Sequence, residues 1–259
     1  MHYLGIDVGS AYIKYALIDE NENLLNLIAV KNIGNEINQI NDKIDIILKE
    51  ADIREENIKI CSCGYGRKRV QNSDLIISEV TAVTKAVFNF NSNIDTIIDI
   101  GGQDFKVIKI DKKKGKVSNF FMNDKCSSGT GAFLNSLLDK LDIPFDKIDK
   151  LYFNTTDAVE FSSICTVFAS SEAIGYLSKG HSIDSILRGG INLLVKKIEP
   201  FVLRFDDIQN YTITGGLNEV EAIRFGFKNT LPYQFIVINH GAYLAAIGCA
   251  LAIKSLSSN

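Results

Sequence analysis

Three glycine-rich turns each follow a short apolar run, and two of them begin with aspartate. The runs end in Asp7-Val8-Gly9-Ser10, in Asp99-Ile100-Gly101-Gly102-Gln103-Asp104 and in Thr214-Gly215-Gly216. Glycines at a strand end let the backbone take positive φ or approach a bound group very closely. Carboxylates beside such a turn suit a hydrated divalent metal and a phosphate. The pattern therefore predicts phosphate binding, although the chain has no Walker pattern and the turn leads into a strand.

The first two turns lie in strand–turn–strand hairpins of the same design. Residues 95–100 form an apolar run rich in β-branched side chains, and 105–110 alternate as a return strand. Residues 3–9 and 13–19 repeat this arrangement about ninety residues earlier. Two such hairpins facing each other could clamp a polyphosphate with backbone N–H groups. The chain is therefore expected to carry one α/β unit twice.

Two cysteines lie in loops of small residues just before predicted helices. Cys126 precedes a helix predicted from Gly131 to Leu141, and Cys165 precedes one predicted from about Ala169 to Leu177. A helix N-terminus carries roughly half a positive charge, which favours thiolate over thiol. These features alone do not distinguish a functional pair from two unrelated core cysteines.

Composition narrows the class of protein. The chain has 259 residues, 46% of them hydrophobic and 23% charged, which is typical of one large or two modest globular domains. A net charge of −3 argues against general nucleic-acid binding. The longest apolar stretch, 241–253, is shorter than the ~20 residues that span a bilayer, and no signal-peptide pattern opens the sequence. We therefore expect a cytoplasmic protein that does not contact membranes.

The cysteine count points to a reducing compartment. Five cysteines, an odd number, favour thiols or metal ligands over disulfides. Cys61 and Cys63 lie two apart on a predicted strand, without a second pair, and are best explained as buried core residues.

Other patterns complete the expected secondary structure. Helices are predicted over 35–51, 78–88, 183–205 and 241–256, and short strands over 58–63 and 235–238. Ser182 is the expected cap of the long helix, and Gly189-Gly190 is expected to interrupt it.

The three turns, in this order and with a final helix rich in alanine, resemble the phosphate-1, phosphate-2 and adenosine motifs of the actin, Hsp70 and sugar-kinase superfamily. The resemblance spans essentially the whole chain. It implies a two-lobed, ribonuclease H-like α/β fold with duplicated domains and a nucleotide cleft between them. The first lobe would comprise residues 1–90 and 241–259, and the second residues 91–240.

The cysteine segments resemble a narrower family. The stretches around Cys126 (122–131) and Cys165 (162–169) are similar to the cluster-ligand motifs of the ATP-dependent activators of 2-hydroxyacyl-CoA dehydratases. The related benzoyl-CoA reductase ATPase subunits share these motifs. The segments Asp99–Asp104 and Gly64-Tyr65-Gly66-Arg67 also match that family.

This resemblance implies an ATPase coupled to electron transfer. Magnesium would be held through water by Asp7 and Asp99, and the attacking water would be positioned or polarised by Gln103 and Asp104. Phosphate contacts would come from Gly9, Ser10, Gly101 and Gly102, with Gly215 and Gly216 beneath the adenosine of ATP or ADP. Lys14 either reaches phosphate or is an exposed strand lysine.

The resemblance also implies a shared metal cluster. Two cysteines cannot hold a cubane, which takes four thiolates. In the family arrangement, one [4Fe–4S] cluster lies between the subunits of a homodimer, and each chain would contribute Cys126 and Cys165. A ferredoxin or flavodoxin would donate the electron, and a 2-hydroxyacyl-CoA dehydratase or a double-cubane reductase would accept it.

Two other functions fit the same motifs. A small-molecule kinase of this fold would use Asp104 as its base and would hydrolyse ATP faster in the presence of a sugar or acyl acceptor. A non-catalytic ATP-sensing scaffold, as among actin-like proteins, would bind partners or form filaments without iron.

Overall fold

The chain folds into two compact units, each built on one five-stranded mixed sheet. The computed structural model describes residues 1–34, 36–123, 126–162 and 165–257. The first unit comprises residues 1–94, 110–119 and 238–259, and the second comprises 95–109 and 120–237. Within the described ranges, no helix is both long enough and apolar enough to cross a membrane.

The sheet of the first unit has the strand order β3-β2-β1-β4-β5. Its strands are β1 (His2–Val8), β2 (Tyr12–Ile18), β3 (Leu24–Lys31), β4 (Ile58–Cys63) and β5 (Leu75–Ile76). Its helices are α1 (Glu36–Glu50), α2 (Glu79–Phe90) and α8 (Leu244–Ser257).

Small residues let α8 lie directly against its neighbours in this unit. A Cβ atom on Gly5 of β1 would stand 1.8 Å from the carbonyl oxygen of Ala246, and one on Gly248 would stand 1.8 Å from that of Ala82. Real Cβ atoms do not approach other atoms so closely, so both positions require glycine. The alanine-rich sequence of the closing helix is thus explained by backbone-to-backbone packing.

The sheet of the second unit has the order β10-β9-β6-β7-β8. Its strands are β6 (Thr96–Ile100), β7 (Phe105–Asp111), β8 (Lys116–Asn123), β9 (Asn210–Thr214) and β10 (Gln234–Phe235). The end of β7 and the start of β8, within residues 110–119, are grouped with the first unit. Its helices are α3 (Gly131–Leu141), α4 (Ile148–Phe153), α5 (Thr166–Ser178), α6 (Ile183–Val202) and α7 (Glu221–Thr230).

The two sheets repeat one topology, which confirms the expected duplication. In each unit the first strand pairs antiparallel with the second and parallel with the fourth, as β1 does with β2 and β4 and as β6 does with β7 and β9. The units differ in the connection between the third and fourth strands. Among the described residues, that connection holds α1 and a short 3₁₀ turn in the first unit, but it carries α3 to α6 and both cysteine loops in the second.

Three sequence predictions were wrong in their details. Helix α6 runs unbroken through Gly189-Gly190. Glycine is needed there for close packing, because a Cβ on Gly189 would stand 2.3 Å from the Val159 carbonyl oxygen. Helix α5 begins at Thr166, three residues before the predicted start. The strand predicted over 235–238 ends at Phe235.

Candidate functional site

The glycine turn of the second unit is closed by its own backbone. Gly101 N donates a hydrogen bond to the Asp104 carbonyl oxygen at 2.9 Å, so the turn joins β6 to β7 tightly. A Cβ on Gly101 would lie 2.6 Å from Asp104 Oδ1, so a larger residue would displace that carboxylate. Gln103 at the tip is exposed, whereas Asp104 is buried. The two residues predicted to act on water therefore differ in access to solvent.

Asp99 is buried at the end of β6 and is held on two sides. Its Oδ1 accepts a hydrogen bond from Thr214 Oγ1 at 2.6 Å, which β9 places directly beside it in parallel register. Its Oδ2 lies 3.6 Å from Lys106 Nζ. No hydrogen-bond donor to Oδ2 is found in the described part of the chain. A buried carboxylate oxygen without a donor fits a place for a divalent cation or one of its waters.

Lys106 lies beside the candidate site and is not among the residues predicted from the sequence. Its side chain is only 3% exposed, and its ammonium lies 2.8 Å from Asp104 Oδ2 as well as near Asp99. The sequence contained a partial signal, because Lys106 follows Asp104 by two residues at the start of an alternating strand. Antiparallel pairing then sets Lys106 opposite Asp99.

The glycine turn is bonded to the helix that follows the first cysteine loop. The first two residues of α3 donate backbone hydrogen bonds to it: Gly131 N to the Gly101 oxygen at 2.9 Å, and Ala132 N to the Gly102 oxygen at 2.8 Å. Amides that begin a helix otherwise have no intrahelical acceptor. A displacement of the turn would therefore be transmitted to α3 through two direct hydrogen bonds.

The first unit contains a matching turn at Asp7. Gly9 N donates to the Tyr12 carbonyl oxygen at 3.1 Å, and the Gly9 oxygen accepts from Asn32 Nδ2 at 2.9 Å. Asp7 is buried, while Ser10 and Lys14 are half-buried. The contact from Asn32, on a loop 23 residues away, carried no sequence signal.

A thiol in the first unit occupies the place of the Thr214 hydroxyl. Cys63 lies beside Asp7 in the parallel register of β1 and β4, and its Sγ is 3.7 Å from Asp7 Oδ1. Burial raises the pKa of the Cys63 thiol to about 12, and the Asp7 carboxylate adds to the effect. A neutral thiol can donate a weak hydrogen bond to the carboxylate, as the Thr214 hydroxyl does to Asp99.

The glycines that follow β4 and β9 also correspond. Gly64 and Gly215 have φ of +85° and +86°, and a Cβ on either would collide with the first strand of its sheet. The closest atoms are the Val8 oxygen at 2.5 Å and the Ile100 oxygen at 2.2 Å. A Cβ on Gly216 would meet nothing within 4 Å, so that glycine leaves open space instead of relieving a clash.

The structure brings the two cysteine loops together. Ser127, which follows Cys126, and Thr166, which follows Cys165, are joined by a hydrogen bond between their hydroxyls at 3.0 Å. Both cysteines are exposed. Cys165 is the N-cap residue of α5, a 13-residue helix, so its thiol lies at a positive helix end.

Cys126 lies farther from its helix than Cys165 does from α5. Three residues separate Cys126 from the cap at Thr130, and Asn123 Nδ2 donates to the Cys126 carbonyl oxygen at 3.0 Å. Residues 124–125 and 163–164 of the two cysteine motifs lie outside the described residues.

Cys126 and Cys165 are the cysteines that can reach a group outside the chain. Cys61, Cys63 and Cys249 are fully buried in the first unit, which confirms the interpretation of the strand pair as core residues. Across the described ranges, no three or more histidine, cysteine or acidic side chains are grouped to hold a metal. Since a cubane takes four thiolates, two exposed cysteines fit it only as half of a ligand set.

Comparisons with known proteins agree with these motifs. A model of the BadF/BadG/BcrA/BcrD ATPase family matches residues 4–252. The activator of lactoyl-CoA dehydratase from Anaerotignum propionicum is 32% identical over 252 residues, covering 97% of this chain and 96% of the relative. The structure of the activator of 2-hydroxyisocaproyl-CoA dehydratase from Clostridium difficile, with bound ADPNP, superposes with a TM-score of 0.93 at 29% identity, covering 100% of this chain and 96% of that one.

A sugar kinase extends the comparison at the level of the fold alone. A glucokinase of the ROK family from Streptomyces griseus, in complex with glucose and AMPPNP, gives a TM-score of 0.55 at 13% identity, covering 97% of this chain and 99% of that one. Together with the activator structure, this match confirms the expected α/β fold of the actin and sugar-kinase type.

Proposed function

Since the chain belongs to the BadF/BadG/BcrA/BcrD ATPase family, we propose that it is an ATP-hydrolysing iron–sulfur activator of a dehydratase or reductase. Its partner would be a 2-hydroxyacyl-CoA dehydratase or a double-cubane reductase, and its electron donor a ferredoxin or flavodoxin. It would act as a cytoplasmic homodimer. The observation that carries the proposal is the pair of hydrogen bonds from Gly131 and Ala132 to the glycine turn, which link the turn that would contact phosphate to the helix that follows the Cys126 loop.

The nucleotide would be bound by the glycine turns. Gly9, Ser10, Gly101 and Gly102 would contact the phosphates, while Gly215 and Gly216 would lie beneath the adenosine. The open space at Gly216 supports this placement, because packing within the described residues does not demand a glycine there. Asp7 and Asp99 would hold Mg²⁺ through water, and the metal would neutralise phosphate charge.

Gln103 and Asp104 would have different roles at the attacking water. Gln103 is exposed at the tip of the hairpin, where its amide can hydrogen-bond a water beside the terminal phosphate. Asp104 is buried and its carboxylate pairs with the Lys106 ammonium, so it would orient the turn and polarise the water from the interior side.

Cys126 and Cys165 from each of two chains would hold one [4Fe–4S] cluster, which supplies a low-potential electron when bound. The hydrogen bond between Ser127 and Thr166 supports a shared role for the two loops, since it keeps the segments beside the thiols together. The positive end of α5 at Cys165 would favour the thiolate and offset the negative charge of a cluster.

Iron analysis of anaerobically purified protein tests the proposal. We expect about four irons per dimer and a brown protein, with Cys126→Ala and Cys165→Ala each losing the iron. Cys61→Ala is the matched control, because it removes a buried thiol of the other unit and should keep the iron. Protein that stays colourless after reconstitution would overturn the proposal. In that case, hydrolysis stimulated by a sugar or acyl acceptor would indicate a kinase, and partner binding or filaments without hydrolysis a scaffold.

A further inference from the structure

Lys106 of the second unit carries a buried ammonium group. Its Nζ lies between two buried carboxylates, 2.8 Å from Asp104 Oδ2 and 3.6 Å from Asp99 Oδ2. Each of the three side chains is at most 5% exposed. Burying a charge is costly unless it is paired, so these three groups are energetically interdependent.

Backbone geometry fixes which acids the ammonium meets. Lys106 pairs directly with Asp99 across the antiparallel hairpin, and Asp104 lies just before β7, two residues before Lys106, with its carboxylate against the ammonium. The two carboxylates and one ammonium leave one net negative charge at the turn. Without the ammonium, the two carboxylates would repel each other across a poorly solvated space.

The first unit lacks this arrangement although it shares the hairpin. Lys14 is likewise paired in register with Asp7, but it is only half-buried. The residue in the place of Asp104 is Tyr12, which is 50% exposed. The buried pair of acids around a lysine therefore distinguishes the second hairpin from the first.

We propose that Lys106 is a positioning residue that holds Asp99 and Asp104 in fixed relation and sets the Mg²⁺ affinity of the second hairpin. This inference rests on the proposed function in that Asp99 is taken to hold Mg²⁺. The ammonium contacts both carboxylates, so Asp99 can face the metal while Asp104 keeps the glycine turn in place. Its charge also limits how strongly the turn attracts a divalent cation.

Mg²⁺-dependent stabilisation of the nucleotide-free full-length protein tests the charge argument. The melting temperature is measured as MgCl₂ is added, for the wild type, Lys106→Met, Asp104→Asn and the double variant. The net charge of the three side chains is −1 in the wild type, −2 in Lys106→Met, zero in Asp104→Asn and −1 in the double variant. We expect half-saturating Mg²⁺ at least about tenfold lower for Lys106→Met and about tenfold higher for Asp104→Asn, with the double variant near the wild type.

ATP hydrolysis tests the positioning role against a merely structural one. We expect Lys106→Met to lower kcat about a hundredfold, because a misplaced turn misaligns the water, while KM for ATP changes much less. Lys109→Met is the matched control: Lys109 lies on the same strand and pairs with Asp95 at 2.9 Å, away from the turn. Lys109→Met should lower the melting temperature, keep kcat within about twofold of the wild type and leave the Mg²⁺ response unchanged.

Two results would overturn the inference: a Mg²⁺ response that is the same in all four proteins, or a Lys106→Met kcat equal to that of Lys109→Met. If Lys106→Met does not fold, Asp104→Asn and the double variant still test the charge order. The Mg²⁺ titration needs neither iron nor a partner. Failure of the iron–sulfur proposal would therefore appear in the iron analysis, and failure of this inference in the titration.

Discussion

The hydroxyl of Thr214 should be worth more to this protein than that of its neighbour Thr212. Thr214 Oγ1 donates to the buried carboxylate of Asp99 at 2.6 Å. Thr212 lies two residues earlier on the same strand and is equally buried, yet its Oγ1 has no hydrogen-bond partner among the described residues. Valine has nearly the shape of threonine, so Thr→Val removes a hydrogen bond at one position and only an unsatisfied hydroxyl at the other.

The expected magnitudes follow from this difference. A hydrogen bond to a charged group contributes about 1.5–3 kcal/mol, so Thr214→Val should lower the free energy of unfolding by about 2 kcal/mol. At roughly 2–4 °C per kcal/mol, the melting temperature should fall by roughly 4–8 °C. Thr212→Val should be neutral or stabilising, because it removes a buried polar atom that has no partner.

Urea and thermal unfolding of the two variants, followed by circular dichroism, measure the difference directly. Hydrogen exchange at the β6 and β9 amides locates the loss, since a weakened Asp99 contact should raise exchange at the end of these two strands. If the two variants unfold within about 0.5 kcal/mol of each other, the Thr214 hydroxyl does not hold Asp99.

Four further predictions concern single residues of the two units. Cys63→Thr, which places a hydroxyl beside Asp7, should keep ATP hydrolysis within about threefold, whereas Cys63→Ala should lower it further; steady-state kinetics distinguish them. Gly215→Ala should cost more than about 2 kcal/mol in urea unfolding, because its Cβ would lie 2.2 Å from a β6 carbonyl oxygen at a φ of +86°. Gly216→Ala, with open space around it, should keep stability and weaken ADP binding in calorimetry. Burial alone would raise the pKa of Asp95, but hydrogen bonds from a lysine, a threonine and two backbone amides outweigh it, so the pKa is lowered. The stability that this group contributes is present above its unfolded pKa of about 3.9 and is lost as the pH falls through the lower folded value. Asp95→Asn should therefore flatten the acid limb of a pH–stability curve.

Much of the fold could be predicted because its signals are local. The strands around the glycine turns alternate or run apolar, and their bounds agree with the prediction within one or two residues. The helix predicted from Gly131 to Leu141 has those bounds. The start of α5 differs from the prediction because its N-cap residue is Cys165, and cysteine is not a residue type that typically caps a helix.

Errors arose where distant packing decides the conformation. Gly189-Gly190 lies inside an unbroken helix, where a Cβ on Gly189 would collide with the Val159 carbonyl oxygen. The neighbouring sequence does not show this contact, because Val159 is 30 residues away. Lys106 was overlooked because a lysine in an alternating strand is usually solvated. Only the register of the hairpin and the position of Asp104 show that it is buried between two acids.

The positions of the backbone turns, and the order in which they follow one another, can be read from the sequence. Positive φ favours glycine, so the turns that follow the strands leave a local signal in the sequence. The tertiary structure alone decided which side chains meet: Thr214 with Asp99, Cys63 with Asp7, and the Cys126 loop with the Cys165 loop. Those contacts join residues 39 to 115 positions apart, and they form only when strand pairing and helix packing bring the segments together.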